Sequence, residues 1–167
     1  MTQIILDKQI VNDDWTLVAD DVALSDAKEI INFSRWAIAE GAAKENLMAK
    51  RDAGSLGIQL NAGDTAELLA SDSQGFALIN VEFPKFADGR GYSAARLLRE
   101  RYDFNGQLRA VGDVLLDQLF YMMRCGFNAM AMRADQDLEL SVKGFKTFSN
   151  SYQGDVNETR PLFRLRS

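Results

Sequence analysis

The sequence has no histidine and only one cysteine among its 167 residues. Without histidine the protein lacks the commonest general base, the Ser-His and Cys-His nucleophile pairs, and every metal site that needs imidazole. The single thiol, Cys125, excludes an internal disulfide and a thiolate cluster for zinc or iron–sulfur. We therefore expect no metal site, and no electron storage on metal bound by the protein's own cysteines.

The chain is also poor in positive charge, with a formal net charge of −5, and it has no long apolar run. A general nucleic-acid binder usually has a basic excess, so that class is disfavoured. An apolar run of about 18 residues would be needed to span a membrane, and the first residues lack the basic region of a signal peptide. We therefore expect a cytoplasmic protein that binds neither nucleic acid nor a membrane.

What the chain does contain, from Gly54 onwards, is a regular alternation of short apolar runs with segments of helical period. Such alternation is typical of βα units and of a mainly parallel sheet. Before it, residues 25–50 predict either one long helix or a strand, EIINF, followed by a helix from Ser34. The second interpretation is favoured, because it gives about five βα units.

We therefore predict one three-layer α/β domain, with a flavodoxin-like open sheet favoured and an incomplete (βα) barrel as the alternative. The predicted parts are an N-terminal β arm (1–20), the βα repeats (25–153) and a C-terminal tail (154–167). The last helix is the clearest element, since five apolar residues recur at helical spacing. These residues are Leu138, Val142, Phe145, Phe148 and Tyr152.

The segment from Val114 to Cys125 predicts a helix that is apolar on most sides, with one narrow polar stripe. A helix of this kind is buried on most sides. It is either a central helix covered by its neighbours or an interface with a second subunit or a partner. In the second case the protein is expected to be a homo-oligomer through residues 114–125.

Polar residues collect where the predicted parallel strands end, which is where ligands bind in such sheets. The residues expected there as an anion or ligand site are Lys85, Asp88, Arg90, Ser93, Arg133 and Asp135. Arg109 lies within the apolar run QLRAVG, where an unpaired charge is costly, so Glu82 or Asp113 is expected to pair with it. These three residues are the catalytic candidates, and a structural ion pair explains them equally well.

The segment Asp88-Gly-Arg-Gly91 places two glycines before a predicted helix start. Ser93 is the expected N-cap, and the helix N-terminus with Arg90 or Arg96 beside it suits an oxyanion such as sulfite, sulfate or phosphate. The alternative is a simple strand-to-helix turn with a solvated arginine. The match to G-x-G-x-x-A is a weak sign of a dinucleotide site, because its first glycine lies six residues beyond Phe83.

Cys125 precedes Gly126 at the predicted C-terminal end of its helix. The helix dipole disfavours a thiolate at that end. A lone cysteine in an apolar helix is more often a small buried hydrophobic residue than a nucleophile, so we expect Cys125 to be structural.

Residues 83–137 carry a specific combination of motifs, namely FPKF, DGRGYS, LRA-GDVL-DQ and RCGF. In these motifs the chain resembles a bacterial family of uncharacterised proteins labelled as oxidoreductases involved in sulfite reduction. The resemblance implies a place in assimilatory sulfate reduction, in association with sulfite reductase, and it assigns no catalytic residue. Motif residues whose role it leaves open include Asp117, Gln118, Arg124 and Gln136.

Two functions follow from these observations. The first is an accessory protein of sulfite and sulfate reduction that acts by contact with a partner such as sulfite reductase. It is favoured by the apolar 114–125 segment and by the lack of residues that store electrons. The second is an oxidoreductase, or an oxyanion- or nucleotide-binding enzyme of the same pathway, with its site at the carboxyl ends of the strands. In that case FMN or NADPH bound at the strand ends would supply the electrons.

Overall fold

Strands and helices alternate along the chain as the sequence predicts. The computed structural model describes residues 2–145 and residue 156. Strands β1 to β8 span Gln3–Leu6, Gln9–Asn12, Thr16–Leu17, Glu29–Asn32, Leu56–Leu60, Leu78–Phe83, Gln107–Gly112 and Ala129–Met130. Helices α1 to α6 span Phe33–Ile38, Gly41–Asp52, Ala66–Leu69, Arg90–Glu100, Leu119–Arg124 and Leu138–Gly144. Short 3-10 helices cover Ala70–Gly75 and Leu116–Gln118.

The strands join one eight-stranded sheet in the order β2-β1-β8-β7-β6-β5-β4-β3. Strands β3 to β8 run parallel to one another, whereas β1 pairs antiparallel with both β2 and β8. The α/β class and the mainly parallel sheet are therefore confirmed, with more strands than five βα units supply. The parallel strands lie side by side in chain order, without the reversal of a flavodoxin-like sheet. The flavodoxin-like order is thus wrong, and the observed order is the one that (βα) barrels use.

The helices pack on one face of this sheet. Strand residues such as Ile58, Val81 and Ala110 join one buried cluster with helix residues such as Trp36 and Leu98. The alternate strand residues point to the opposite face, called the inner face here, and they are absent from that cluster. Right-handed crossovers between neighbouring parallel strands put their helices on the same side. A three-layer arrangement, with helices on both faces, is therefore wrong for the described helices.

The inner face is enclosed because the sheet curls. Strands β2 and β3 form its two edges, yet only residues 13–15 connect them. Eight strands side by side in a flat sheet would hold these edges roughly 33 Å apart, at about 4.8 Å per strand. The chain from Asn12 to Thr16 reaches at most about 14 Å. The two edges must therefore approach each other, and the sheet bends around its inner face.

An ion pair holds this closure from the inside. Arg109 of β7 is 2% exposed, and its Nη1 and Nη2 donate to the two carboxylate oxygens of Asp13 at 3.0 and 2.9 Å. Burial lowers the pKa of Arg109, and the Asp13 carboxylate opposes that shift. Burial of Arg109 with a carboxylate partner was predicted and is confirmed. The predicted partners, Glu82 and Asp113, are wrong, because the carboxylate comes from the link that closes the sheet.

The N-terminal strands differ from the predicted β arm. Strands β1 and β2 form the expected hairpin, with Ile4 opposite Val11. Strand β3 leaves that hairpin and pairs with β4 at the other edge, with Leu17 opposite Ile30. Residues 1–20 therefore supply both edges of the main sheet instead of a separate arm.

Two further predictions concern the ambiguous segment and the last helix. Strand β4 followed by α1 and α2 confirms the strand-then-helix interpretation of residues 25–50. Helix α6 confirms the start of the last helix, with Leu138 and Phe145 packed in the core. The predictions for Phe148 and Tyr152 lie outside the described residues, as does the predicted tail apart from Val156, whose amide donates to the Arg124 carbonyl at 3.3 Å.

We predict that Asp13→Asn destabilises the fold, because it leaves the Arg109 guanidinium buried without its carboxylate. Breaking a buried pair in this way costs about 3–5 kcal/mol of unfolding free energy. Asp14→Asn is the matched control, since Asp14 pairs with Lys28 at the surface and 63% of its side chain is exposed. Such surface pairs contribute at most about 1 kcal/mol. Urea unfolding followed by circular dichroism measures both variants, and equal losses would contradict the closing role of the Asp13 pair.

We also predict that Gly91→Ala destabilises the start of α4. A Cβ at Gly91 would stand 2.6 Å from Cζ of Phe83, whereas a Cβ at Gly89 would meet nothing within 4 Å. Overpacking of this kind costs about 1–3 kcal/mol, so the melting temperature of Gly91→Ala should fall by several degrees. Gly89→Ala is the control and should melt close to the wild type. Similar melting temperatures for the two variants would show that the Phe83 ring moves aside without cost.

Candidate functional site

The carboxyl ends of the parallel strands lie along one edge of the curled sheet, where ligands bind in folds of this kind. Polar side chains mark these ends, with Asn32 in β4, Asn61 after β5, Glu82 in β6 and Asp113 after β7. The site residues fall into three groups, which are a chain of amides, a set of arginine–carboxylate pairs and the lining of a cavity.

Four amide side chains form a chain of hydrogen bonds along the inner face. Asn80 Nδ2 donates to Gln59 Oε1 at 3.3 Å, and Gln59 Nε2 donates to Asn61 Oδ1 at 3.0 Å. Asn61 Nδ2 then donates to Asn32 Oδ1 at 3.2 Å, and Asn32 Nδ2 donates to Asp20 Oδ1 at 3.0 Å. Every bond runs in the same direction, from the buried Asn80 toward the exposed carboxylate of Asp20.

Strand register explains why these amides meet. Residues opposite one another on adjacent parallel strands share a face, and one such row contains Asn32, Gln59, Asn80 and Arg109. Asn80 is 3% exposed, and its Oδ1 has no hydrogen-bond partner among the described residues. This row was not predicted from the sequence, although Gln59 and Asn80 interrupt the apolar strands LGIQL and LINVEF just as Arg109 interrupts QLRAVG.

The three residues predicted as catalytic have separate partners. Arg109 pairs with Asp13, as described above. One carboxylate oxygen of Glu82 accepts a hydrogen bond from the Ala62 amide at 3.1 Å. Asp113 accepts one from the Phe86 amide at 2.9 Å. No hydrogen bond joins Arg109, Glu82 and Asp113 to one another in the described part of the chain, and their catalytic role stays a prediction.

Arg90 and Asp88 form a close pair before α4. Arg90 donates from Nε and Nη2 to the two oxygens of Asp88, at 2.9 and 2.6 Å. The hydrogen bonds from Arg90 lower the pKa of Asp88 to about 2, so this carboxylate is charged at neutral pH. Helix α4 begins at Arg90, with Gly89 in the N-cap position. Ser93 therefore lies inside the helix, and the prediction that it caps the helix is wrong.

Arg133 is held in a similar way on the neighbouring loop. Its Nη1 donates to Asp113 Oδ1 at 2.7 Å, and its Nε and Nη2 donate to Asp135 at 2.7 and 2.8 Å. The hydrogen bond from Arg133 lowers the pKa of Asp135 to about 2. The two arginines predicted to bind an anion are thus already paired with carboxylates, and Lys85 is exposed to solvent. An incoming anion would have to compete with these carboxylates for the guanidinium groups.

A cavity of about 260 Å³ lies between the segment that follows β5 and the first turns of α4. Arg90 and Ser93 of the predicted site line it from the α4 side, and Asp64 and Glu67 line it from the other. The structure therefore brings part of the predicted ligand site to one hollow. The carboxylates of this hollow were not among the predicted site residues.

The predicted helix from Val114 to Cys125 is shorter and partly exposed. It consists of the 3-10 helix Leu116–Gln118 followed by α5. Leu119 and Met122 are buried, and Phe120 is half-buried. Cys125 is 2% exposed, which confirms it as a small buried residue.

Aromatic side chains form a patch beside α5. Phe86 is 49% exposed and Tyr121 is 51% exposed. The Tyr92 and Tyr121 rings meet edge to face with centroids 4.9 Å apart, and Gln118 Nε2 donates to the Phe86 carbonyl at 3.3 Å. We call Phe86, Tyr92 and Tyr121 the aromatic patch. The ring contact holds Tyr121 against Tyr92, and the hydrogen bond holds the Phe86 backbone beside α5.

An apolar cavity of about 380 Å³ lies between α5 and α6. Its apolar lining comes from Leu116, Leu119 and Phe120 on one side and from Leu140 and Phe145 on the other. Phe120 of the cavity and Tyr121 of the aromatic patch are consecutive in α5. The cavity and the patch therefore both border α5.

Two kinds of feature are absent from the described residues. None of their helices is both long and apolar enough to cross a membrane. The same residues contain no group of three or more His, Cys, Asp or Glu side chains that could hold a metal ion.

The pairing with Arg90 predicts how Asp88 titrates. We expect Arg90→Ala to raise the pKa of Asp88 from about 2 toward 3.8, while Asp135, held by Arg133, keeps its pKa of about 2. Because the pKa of Asp88 is lowered in the folded state, its pair contributes stability above pH 3.8 and loses it as the pH falls to about 2. Carbon-13 NMR of the carboxyl groups measures both midpoints. A midpoint near 3.8 for Asp88 in the wild-type protein would show that the pair does not persist in solution.

Comparison with known proteins identifies the family of this chain. Residues 57–163 match the family described as "Bacterial protein of unknown function (DUF934)". The match covers more than half of the chain and includes residues 83–137, on which the resemblance to an uncharacterised bacterial family rests. No curated protein matches the chain. The chain therefore belongs to this bacterial family of unknown function.

Proposed function

We propose that the protein is an accessory protein of sulfite and sulfate reduction that acts by contact with a partner protein, with sulfite reductase as the first candidate. The observation that carries the contact mode is the exposed aromatic patch beside α5, next to the apolar cavity. The pathway rests on the motifs of residues 83–137, through the resemblance described above.

The aromatic patch has the chemistry of a protein interface. Tyrosine and phenylalanine are enriched at the cores of interfaces, and tyrosine is among the residues that dominate binding energy. Phe86 and Tyr121 each leave about half of their surface in water. The contact with Tyr92 holds the Tyr121 ring, and the hydrogen bond from Gln118 holds the backbone that carries Phe86. Less side-chain entropy is therefore lost when a partner covers Tyr121.

The apolar cavity between α5 and α6 is a second apolar feature that borders α5. Its lining includes Phe120 and Leu140, and 54% of Leu140 is exposed. An apolar side chain of a partner fits a hollow of this kind, because filling it removes apolar surface from water on both sides. The partner is a second protein or, as a homo-oligomer would require, a second copy of this chain.

The charge pairs favour contact over the binding of a bare oxyanion. Arg90 and Arg133 are each bound by aspartate carboxylates, at distances between 2.6 and 2.9 Å. A sulfite or sulfate ion would have to displace these carboxylates or remain close to them. Like charges at such distances repel, which lowers the affinity for a bare anion.

The second candidate is an oxidoreductase, or an oxyanion- or nucleotide-binding enzyme, with its site at the carboxyl ends of the strands. The cavity of about 260 Å³ beside Arg90 and Ser93 favours it. Sites for drug-sized ligands are usually about 300–1,000 Å³, so this hollow suits a molecule smaller than FMN or NADPH. Binding of either cofactor stays a prediction.

We predict that the purified protein binds sulfite reductase and that Tyr121→Ala weakens the complex by about 30-fold or more, the effect of truncating an interface hot spot. Ile38→Ala is the matched control. Ile38 is 79% exposed, and it lies on α1, which packs on β4 and β5 instead of beside α5. Biolayer interferometry with immobilised reductase measures both dissociation constants.

Size-exclusion chromatography of the protein alone completes this experiment. Self-association that Tyr121→Ala abolishes would identify a second copy as the partner on this surface. A monomer that shows no affinity for the reductase would overturn the proposal. Equal weakening by Tyr121→Ala and Ile38→Ala would also overturn it, because the effect would not be specific to the aromatic patch.

A further inference from the structure

The cavity between the segment after β5 and α4 carries opposite charges on its two sides. Its volume is about 260 Å³, and Arg90 and Ser93 line the α4 side. Asp64 and Glu67 line the facing side, and Asp88 lies beside Arg90. The cavity and its border therefore carry three carboxylates and one guanidinium, so a ligand that is only an anion meets a site of net negative charge.

Two donors on the α4 side remain available to a ligand. Arg90 uses Nε and Nη2 for Asp88, and its Nη1 has no partner among the described residues. The Ser93 hydroxyl likewise makes no hydrogen bond within the described part of the chain. Residues three apart on a helix share a face, so both groups reach the same side of the cavity. A guanidinium N–H and a hydroxyl together suit one carboxylate group.

The facing side offers acceptors for a positive group. Asp64 Oδ2 accepts from the Asn61 amide at 2.8 Å, which leaves Oδ1 without a partner among the described residues. Hydrogen bonds from its own backbone and from Thr65 lower the pKa of Glu67, so this carboxylate is charged at neutral pH. An ammonium group has three N–H donors and no acceptor, and it complements such a pair of carboxylates.

The remainder of the lining is mostly apolar, with Thr65 as its one hydroxyl residue. Ala66 and Ala94 are buried and Leu97 is half-buried. This part of the cavity accommodates a short aliphatic side chain and no large polar group.

From these observations we propose that the cavity between Asp64 and Arg90 binds a small α-amino acid as its zwitterion. The carboxylate lies against Arg90 Nη1 and Ser93, and the ammonium group lies against Asp64 and Glu67. The inference names a ligand class for the strand ends and does not depend on the partner surface beside α5.

A thermal-shift assay and titration calorimetry with L-alanine, L-serine and L-aspartate test the proposal. Propionate and ethylamine are matched to alanine, because each lacks one of its two charged groups, and sulfite and sulfate test for a plain oxyanion site. We expect at least one amino acid to raise the melting temperature by about 5–10 °C at about 100 times its Kd. The propionate, ethylamine, sulfite and sulfate samples should show no comparable shift.

Substitutions on both sides of the cavity locate the site. Arg90→Ala and Glu67→Gln should each weaken amino-acid binding at least tenfold, and Asp64→Asn should do the same provided that circular dichroism shows it folded. Arg96→Ala is the control, since Arg96 lies on α4 but pairs with Glu100 at 2.9 Å and does not line the cavity. Glu67→Gln keeps the test valid if Asp64→Asn fails to fold, because Glu67 is exposed.

Three results would overturn the proposal. The first is that none of the amino acids binds. The second is that sulfite, sulfate or propionate binds as well as alanine and Glu67→Gln has no effect, which would indicate an oxyanion site. The third is that Arg96→Ala weakens binding as much as Arg90→Ala. None of these results bears on the binding of sulfite reductase, so the two proposals fail independently.

Discussion

The short link between β2 and β3 constrains the whole structure. Only residues 13–15 connect strands that form opposite edges of an eight-stranded sheet, so the sheet must curl until those edges approach each other. Curling encloses the inner face, and none of the described helices covers it. It also brings Asp13 to the guanidinium of Arg109, and this bidentate pair neutralises a charge that the interior could not otherwise hold.

The enclosed face is unusually polar for a parallel sheet. Interiors of (βα) barrels are usually filled by branched apolar side chains, whereas here one row of the inner face carries Asn32, Gln59, Asn80 and Arg109. Burying these groups is costly unless they are hydrogen-bonded. The amide chain supplies most of the hydrogen bonds that these groups need, and it extends to the surface at Asp20. A one-residue slip of any of these strands would move its polar residue to the helix face, so the row also specifies the register.

Pairs of opposite charges also determine the chemistry at the carboxyl ends of the strands. The arginines that the sequence offered for an anion are bound by carboxylates in the structure, Arg90 by Asp88, Arg96 by Glu100, and Arg133 by Asp113 and Asp135. Because of these pairs the site carries both positive and negative charges, whereas the sequence predicts a basic site. The surface beside α5 is different in kind, since aromatic and aliphatic groups dominate it. The two proposed recognition surfaces are therefore distinct, one for a small charged molecule and one for an apolar partner.

The sequence alone determined the features that depend on local periodicity and on the cost of burial. The sequence predicts the βα alternation, the position of strand β4 before its helices, and the need of Arg109 for a carboxylate. These features could be predicted because side-chain period and desolvation act within a few residues. The tertiary structure decided the strand order, the one-sided helix layer and the partner of Arg109. Asp13 lies 96 residues from Arg109 in the chain, and only closure of the sheet brings the two together. The sequence also did not predict that α4 begins at Arg90, before the expected cap Ser93. In the structure Gly91, in the first turn of α4, packs closely on Phe83 of the preceding strand.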